Sequence, residues 1–246
     1  MPELPALSYR RVGHKGADLI APGNTPASFD AAVAAGVDMI EFDVLPENLD
    51  GTGELWLAHD YVDLRARQGA GTALTLAEGL DHLCATGLDL DLDLKITGYE
   101  DRVVDELRRR GVQDRVLIST MERSSLRHIR ARAPEIELGW SVPRLRKNPF
   151  DHKLMVPPAF VALQVARRVL PSRAAKAIRA GEADALMANF HLVTPALVRA
   201  VLGAGGELYV WTVDDGPRIG KLERLGVTGV ITNDPRLFQS VQVAAE

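Results

Sequence analysis

Several features that mark specialised protein classes are missing or scarce in this chain. Of its 246 residues only Cys84 is a cysteine, which excludes an intramolecular disulfide framework. No apolar run reaches the roughly 18 residues of a membrane-spanning helix. Basic residues do not outnumber acidic ones, and the net charge of −4 argues against a general nucleic-acid-binding protein. The remaining composition, 46% hydrophobic and 25% charged, is typical of a folded globular protein.

The N-terminal residues also contain no recognisable targeting signal. Residues 1–8 (MPELPALS) have neither a basic start nor an apolar core of signal-peptide length. We therefore expect a cytoplasmic protein. A chain from which a signal peptide had been removed would have the same sequence here.

Short apolar segments alternate with helix-length segments along the chain, and no change in composition marks a domain boundary. Such alternation is typical of βα units that build a parallel sheet. The predicted strands are residues 9–12, 39–44, 55–58, 88–94, 116–119, 136–140, 185–188, 208–213 and 227–231. The predicted helices are a segment from Pro26 to Gly36, then residues 76–85, 99–110, 123–133, 195–202, 217–225 and a final helix near 235–243.

These strands are one too many for an eightfold barrel, and the segment between the second and third strands shows which is extra. It contains Pro46, Asn48, Gly51 and Gly53, which favour turns, and it is too short for a crossover helix. Residues 55–58 are therefore expected to return antiparallel. The others predict a (β/α)₈ TIM barrel of the α/β class, with residues 1–246 as a single domain. An open doubly wound sheet is the alternative, but the glycine-rich phosphate loop usual in that fold is absent.

One connection, between residues 140 and 185, is unusually long. Residues 142–149 are basic and contain Arg144, Arg146 and Lys147, whereas residues 160–170 are apolar and predicted to be helical. One interpretation is a barrel helix with a long preceding loop. The other is that residues 142–170 form a lid or a peripheral lipid-contacting surface, because long loops in compact domains are often functional.

Polar side chains collect where the predicted strands end, which is where TIM-barrel enzymes place their catalytic groups. Two histidines follow strand ends, and carboxylates alternate with apolar residues on the second and fourth predicted strands. The fourth strand alternates strictly, so its leucines are expected to face the helices and its aspartates the barrel interior. We interpret Asp89 and Asp91 as structural partners of Arg10. The groups expected at the C-terminal end of the barrel are His14, Glu41, Asp43, His59, Asp93 and Lys95.

This combination of residue types favours chemistry on a charged substrate. Adjacent inward carboxylates such as Glu41, Asp43 and Asp93 repel each other, and oxygen ligands suit Mg²⁺ or Ca²⁺. Two histidines and a lysine beside a cation suit acid–base work on a phosphoester. Each group alone has a structural alternative, since a carboxylate pair can be a salt-bridge partner and a single histidine can be a packing residue.

The same residues, in order, resemble the glycerophosphodiester phosphodiesterase family, within the phosphatidylinositol-phospholipase-C-like TIM barrels. The family's motifs correspond here to His14-Lys15-Gly16, Gly23-Asn24-Thr25, Glu41-Phe42-Asp43, His59-Asp60, Asp93-Leu94-Lys95, Trp211-Thr212-Val213 and Thr232-Asn233-Asp234-Pro235. Each motif is weak alone, but the ordered set covers nearly the whole chain.

The resemblance implies metal-dependent hydrolysis of glycerophosphodiesters to sn-glycerol 3-phosphate and an alcohol, through a cyclic phosphate. It also implies roles in lipid and glycerol metabolism and a small-molecule substrate, without nucleic acid. The implied site residues are Glu41, Asp43 and Asp93 as metal ligands, His14, His59 and Lys95 as catalytic residues, and Lys15 and Trp211 as substrate-binding residues. Plain barrel packing remains an alternative for Trp211.

Three departures from the family pattern stand out. Lys15 replaces the usual arginine, Gly23 the usual glutamate, and Asp93 the commoner glutamate. Lysine keeps the charge but loses the bidentate grip of arginine, and Gly23 removes a carboxylate, so the two changes together suggest compensation. Related sphingomyelin-cleaving barrels resemble the Asp-x-Lys form, which leaves lysophospholipids open as substrates. A non-catalytic phosphate-binding barrel is the third possibility.

Overall fold

Eight parallel strands close into a barrel in the computed structural model, which describes residues 9–143 and 156–239. The strands are β1 (Arg10–His14), β2 (Met39–Pro46), β3 (Leu55–Trp56), β4 (Asp89–Leu94), β5 (Val116–Thr120), β6 (Glu137–Val142), β7 (Ala185–Asn189), β8 (Glu207–Trp211) and β9 (Gly229–Thr232). All except β3 pair in parallel, and β1 closes the barrel by pairing with both β2 and β9. The predicted TIM barrel is confirmed.

Helices connect the barrel strands on the outside. They are α1 (Pro26–Ala34), α2 (Tyr61–Ala70), α3 (Leu76–Cys84), α4 (Glu100–Arg110), α5 (Arg123–Arg132), α6 (Val156–Arg179), α7 (Pro195–Leu202) and α8 (Gly216–Leu225). Residues 237–239 are also helical, whereas the rest of the predicted final helix after residue 239 lies outside the described residues. The predicted basic group of Arg144, Arg146 and Lys147 lies outside them as well.

The extra strand is antiparallel, as the turn residues before it predict. In β3, Trp56 pairs with Leu45 and Leu55 pairs with Pro46. The sequence analysis did not predict α2, which follows directly. Asp60 caps this helix by accepting hydrogen bonds from the backbone N–H groups of Val62 and Asp63, at 2.8 and 2.9 Å.

The alternation in β4 sorts its side chains as expected. Leu90, Leu92 and Leu94 are buried in the apolar layer between barrel and helices. On the opposite face, Asp89 accepts a 2.6 Å hydrogen bond from Arg10 across the barrel. The expected pairing of Arg10 with Asp91 is wrong: Asp91 is fully buried, and Arg10 forms its ion pair with Asp89 instead.

A buried tyrosine joins the two strands that carry most of the polar cluster. The Tyr99 hydroxyl donates to the Val44 carbonyl at 2.6 Å and accepts from the Lys95 backbone N–H at 3.0 Å. Tyr99 is 1% exposed, so water cannot replace these bonds. The ends of β2 and β4 are therefore held together beside Asp43 and Asp93.

We expect Tyr99→Phe to lower the free energy of unfolding by about 1–3 kcal/mol, because it removes the shorter of the two hydrogen bonds to the Val44 carbonyl and leaves only the 3.3 Å bond from the Lys95 backbone N–H. Urea denaturation measures this loss. Tyr61→Phe is the matched control, since the Tyr61 hydroxyl has no hydrogen-bond partner among the described residues. Equal stability of the two variants would contradict the role given to Tyr99.

Candidate active site

Strand register brings the predicted carboxylates together at the C-terminal end of the barrel. Asp43 of β2 lies beside Asp93 of β4, and His14 of β1 lies beside Glu41 of β2. Glu41, Asp43 and Asp93 each offer an oxygen within 4.8 Å of the others. Among the described residues this is the group of potential metal ligands that the fold assembles, and it is the predicted set.

A single ammonium group lies between two of these carboxylates. Lys95 forms ion pairs with both Asp43 and Asp93, and only 16% of its side chain is exposed. Burial would lower the pKa of Lys95, but Asp43, Asp93 and Glu41 raise it well above its ordinary value. The lysine therefore stays charged and neutralises part of the cluster.

The carboxylates differ in charge state although they are neighbours. Burial favours the neutral form of Asp43, but Lys95 and His59 hold its pKa well below the ordinary value. Burial and the Asp43 carboxylate raise the pKa of Glu41 to about 8. Burial also raises the pKa of Asp93, against the opposing effect of Lys95. One lysine is thus too little positive charge for this cluster.

This deficit and the chemistry of the donors fit a divalent cation. Glu41, Asp43 and Asp93 present only oxygen atoms, which are the ligands preferred by Mg²⁺ and Ca²⁺. A cation would favour the ionised forms that burial and mutual repulsion now oppose. The residues therefore fit the predicted metal role.

One predicted histidine is held in a defined orientation. His14 Nδ1 lies 2.6 Å from Asn233 Oδ1. The Asn233 amide nitrogen donates to Asp214 at 2.7 Å, and its backbone N–H donates to the same carboxylate at 2.8 Å. Since Asp214 fixes which amide atom faces the histidine, Nδ1 of His14 must donate. Nε2, 3.7 Å from Glu41, is then the basic nitrogen that faces the cluster.

The surroundings of His14 also keep its imidazole neutral. Burial lowers the pKa of His14 below its ordinary value, and the nearby Lys15 ammonium acts in the same direction. The Asp43 carboxylate and the hydrogen bond that His14 donates to Asn233 oppose this shift without reversing it. A neutral imidazole with Nε2 unprotonated is equipped to accept a proton.

The other predicted histidine lies beside Asp43 and is open to solvent. His59 Nδ1 is 3.5 Å from Asp43 Oδ2, and 54% of its side chain is exposed. Its backbone N–H donates to Asp63 in the first turn of α2 at 3.1 Å. The two histidines thus lie beside different carboxylates of the same cluster. His59 is more open to water than His14.

Comparison with known proteins identifies a family for this chain. Residues 89–237 match the family model described as the glycerophosphoryl diester phosphodiesterase family. A glycerophosphodiester phosphodiesterase of Caldanaerobacter subterraneus subsp. tengcongensis is 24% identical over 91% of this chain and 93% of that protein. The family match covers more than half of the chain.

The chain belongs to the glycerophosphoryl diester phosphodiesterase family. It is an enzyme of the phosphoric diester hydrolase class, as the motifs predicted. The matched range begins at β4 and includes Asp93 and Lys95, while His14, Glu41 and Asp43 precede it.

Solved structures confirm the fold. A glycerophosphoryl diester phosphodiesterase from Silicibacter pomeroyi aligns with a TM-score of 0.74 and 21% identity, over 98% of this chain and 95% of that chain. A phosphodiesterase from Oleispira antarctica, solved in complex with the product sn-glycerol-3-phosphate, aligns with a TM-score of 0.73 and 21% identity. That alignment covers 95% of this chain and 96% of the other.

The loop after β1 explains how two departures from the phosphodiesterase pattern coexist. The Asp18 carboxylate accepts from the Gly23 backbone N–H at 2.7 Å and lies 3.4 Å from the Lys15 ammonium. A Cβ atom at Gly23 would lie only 2.5 Å from the Asp18 carboxylate. Asp18 thus occupies the space beside Gly23 and supplies a counter-ion for Lys15. The sequence analysis missed Asp18, and the expected compensation between Lys15 and Gly23 stays a prediction.

Asn24 belongs to a motif that the sequence analysis quoted, but no role was predicted for it. Its side chain donates to Asp43 Oδ2 at 2.9 Å and accepts from the Asp43 backbone N–H at 3.2 Å. Asn24 has a φ of 56°, a left-handed conformation that asparagine tolerates better than most residues. The amide thereby orients the most buried carboxylate of the phosphodiesterase cluster.

Trp211 packs inside the barrel and also lines a cavity beside the polar cluster. Its indole N–H donates to the Met187 carbonyl at 2.9 Å, and its ring packs against the small apolar cluster inside the barrel. Trp211 also lines a cavity of about 160 Å³ together with His14 and Lys95. Trp211 is therefore a packing residue that also faces this cavity, and its contact with substrate stays a prediction.

We expect Asn233→Leu to lower kcat about 10- to 100-fold with little change in KM, because His14 loses the acceptor that fixes its tautomer. Steady-state kinetics on a glycerophosphodiester measures the effect. Asn48→Leu, in the turn before β3, is the control and should retain wild-type kinetics. A wild-type kcat for Asn233→Leu would remove Asn233 from the mechanism.

Gly23→Ala should raise KM about tenfold, because the new methyl group displaces Asp18 and with it the Lys15 ammonium. The matched control is Gly69→Ala in α2, where nothing lies within 4 Å of the added Cβ. If Lys15→Arg alone raised activity without penalty, compensation between Lys15 and Gly23 would be wrong.

Proposed function

We propose that this enzyme hydrolyses glycerophosphodiesters to sn-glycerol 3-phosphate and an alcohol, with a divalent cation and two-histidine acid–base catalysis. The observation that carries the proposal is that two histidines lie beside different carboxylates of one buried cluster, His14 at 3.7 Å from Glu41 and His59 at 3.5 Å from Asp43. A phosphodiester bound there would have a proton acceptor on one side and a proton donor on the other.

Glu41, Asp43 and Asp93 would hold the cation, Mg²⁺ or Ca²⁺. When bound, the cation would supply Lewis-acid polarisation of the phosphoryl oxygens and of the attacking hydroxyl. Lys95 and Lys15 would add positive charge beside the phosphate, where negative charge develops in the transition state. A divalent cation would also compete with Lys95 for Asp43 and Asp93.

The histidines would exchange protons in two steps. His14 Nε2 would accept the proton of the glycerol hydroxyl next to the ester as that oxygen attacks phosphorus. The bond from phosphorus to the alcohol oxygen would break, and His59 would give its proton to that oxygen. Water would then attack the phosphorus of the cyclic phosphate and give a proton to His59, which lost its own in the first step. The bond from phosphorus to the ring oxygen formed in the first step would break, and His14 would return its proton to that oxygen.

A second candidate substrate class, lysophospholipids, is favoured by one observation. Phe160, Val161, Val165 and Val169 of α6 are between 37% and 62% exposed. The three valines recur at four-residue intervals and so lie on one face of the helix. Such a face suits an acyl chain or a lipid surface, as expected for residues 142–170. Of that range, the structure describes residues 142–143 and 156–170.

Two further expectations can be weighed. A non-catalytic phosphate-binding barrel would not need the oriented His14 or the complete carboxylate set, and so we favour catalysis.

The cytoplasmic location stays a prediction. Within the described residues, none of the helices combines the length and apolarity needed to cross a membrane.

Release of sn-glycerol 3-phosphate from glycerophosphocholine tests the proposal. We expect release by the wild type, loss of release in EDTA and recovery with Mg²⁺ or Ca²⁺. His14→Ala and His59→Ala should each reduce kcat about 10²- to 10⁴-fold, because each removes one proton-transfer group. A near-normal rate in either variant would show that its acid–base role is wrong.

His82→Ala is the control, since His82 pairs with Asp30 on the outer helices. Lysophosphatidylcholine is assayed in parallel. A higher kcat/KM for that lipid, lost when Val161 and Val165 are replaced by serine, would favour the second substrate class. Failure to cleave either compound with any metal would contradict the proposed function.

A further inference from the structure

Basic residues dominate three consecutive helices on one side of the barrel, although the chain as a whole is acidic. The helices α5, α6 and α7 contain four, five and one lysine or arginine residues, respectively, and no aspartate or glutamate. α6 packs against α7, and Arg130 of α5 donates to the Gly181 carbonyl just after α6. These neighbouring helices therefore form a basic side on a protein whose net charge is −4.

Some of these basic residues are neutralised within the fold, but those on the outer face of α6 are not. In α5, Arg123 pairs with Glu182 and Arg130 pairs with Asp184. Four side chains of α6 are exposed and form no ion pair or hydrogen bond with the described residues: Arg168, Arg173, Lys176 and Arg179. Their charges are therefore free to attract a partner.

The exposed face of α6 is divided along its length into an apolar half and a basic half. At intervals of three or four residues, which is the spacing of one helix face, it carries Val161, Val165, Val169, Ser172, Lys176 and Arg179. The three valines are between 37% and 62% exposed. Arg168 and Arg173 flank this face, whereas Leu170 and Ala174 on the opposite face pack against the barrel.

A bilayer that contains anionic lipids fits both halves of this face. Valine side chains gain free energy on leaving water for acyl chains, and basic side chains are attracted to lipid phosphates. A nucleic acid would contact only the basic half and would leave the valines in water. A second copy packed antiparallel on α6 would bury its basic residues against valines, at a desolvation cost. A membrane surface is thus the partner whose chemistry matches the whole face.

The direction of α6 places its valine half near the active site. Because α6 follows β6, it starts at the C-terminal end of the barrel, where Glu41, Asp43 and Asp93 lie, and runs back towards the other end. From Val161 to Arg179 the face is about 27 Å long. A bilayer bound along it would lie beside the open end of the barrel.

We propose that the outer face of α6 is a docking surface for membranes that contain anionic lipids. The inference goes beyond the proposed function, because it concerns where the enzyme acts and does not depend on which diester it cleaves. Docking would hold the active-site end of the barrel next to a lipid surface.

Vesicle flotation tests the docking surface, with vesicles of phosphatidylcholine alone and of equal parts phosphatidylcholine and phosphatidylglycerol. We expect the wild type to bind the mixed vesicles about tenfold more tightly, and high salt to release it, because salt screens the charges. Arg173→Gln with Lys176→Gln should weaken binding to the mixed vesicles about 10- to 30-fold. Val161→Ser with Val165→Ser should weaken it about tenfold, through the lost apolar contact.

Matched double variants elsewhere on the surface remove the same chemical groups. Arg65→Gln with Arg224→Gln neutralises two exposed basic residues, in α2 and α8. Val62→Ser with Val33→Ser changes two valines of α2 and α1 that are 77% and 41% exposed. Both controls should bind vesicles like the wild type. Thermal unfolding followed by circular dichroism checks that every variant is folded.

Weak binding of the wild type to both kinds of vesicle, or equal losses in the α6 and control variants, would overturn the docking surface. Loss of binding in the basic α6 variant alone would indicate a general polyanion site and would overturn the assignment to lipid. Neither result would affect the proposed function, which is tested separately by release of sn-glycerol 3-phosphate from a water-soluble ester.

Discussion

The placement of Lys95 between Asp43 and Asp93 is the interaction on which the site depends. Parallel strands β2 and β4 bring two inward-facing carboxylates side by side, a cost that burial increases. The lysine ion pairs offset part of this repulsion, and Tyr99 holds the same two strand ends together. Part of the repulsion remains uncompensated, because burial and the Asp43 carboxylate still raise the pKa of Glu41 to about 8. The unmet charge demand makes this point of the barrel suitable for a divalent cation, through which a phosphate could then be bound.

Strand alternation made most of this arrangement predictable from sequence. In β4, leucines at every second position leave Asp93 and Lys95 on the interior face, and the same period places Glu41 and Asp43 together in β2. Turn-forming residues between β2 and β3 identified the extra antiparallel strand. These predictions succeeded because they depend on side-chain period and local turn chemistry, which are properties of consecutive residues.

The residues that sequence analysis missed act through contacts between separate segments. Asn233 reaches His14 from the other end of the chain, and only the closure of β1 against β9 brings them together. Asp18 acquires its role because Gly23 leaves room for its carboxylate beside Lys15. The sequence analysis also did not predict α2, because it considered Asp60 only as the neighbour of His59 and not as a helix cap. In each case one residue type allowed two roles, and tertiary structure decided between them.

The two histidines differ in ways that follow from their places in the fold. His14 ends a barrel strand, is buried, and is fixed by Asn233 and Asp214, so its proton affinity and tautomer are set before substrate binds. His59 lies in the segment between β3 and α2 and is more than half exposed. A buried base suits the glycerol arm, which is common to every substrate of this reaction. The proposed acid, His59, is open to solvent, so the leaving alcohol can vary without disturbing His14.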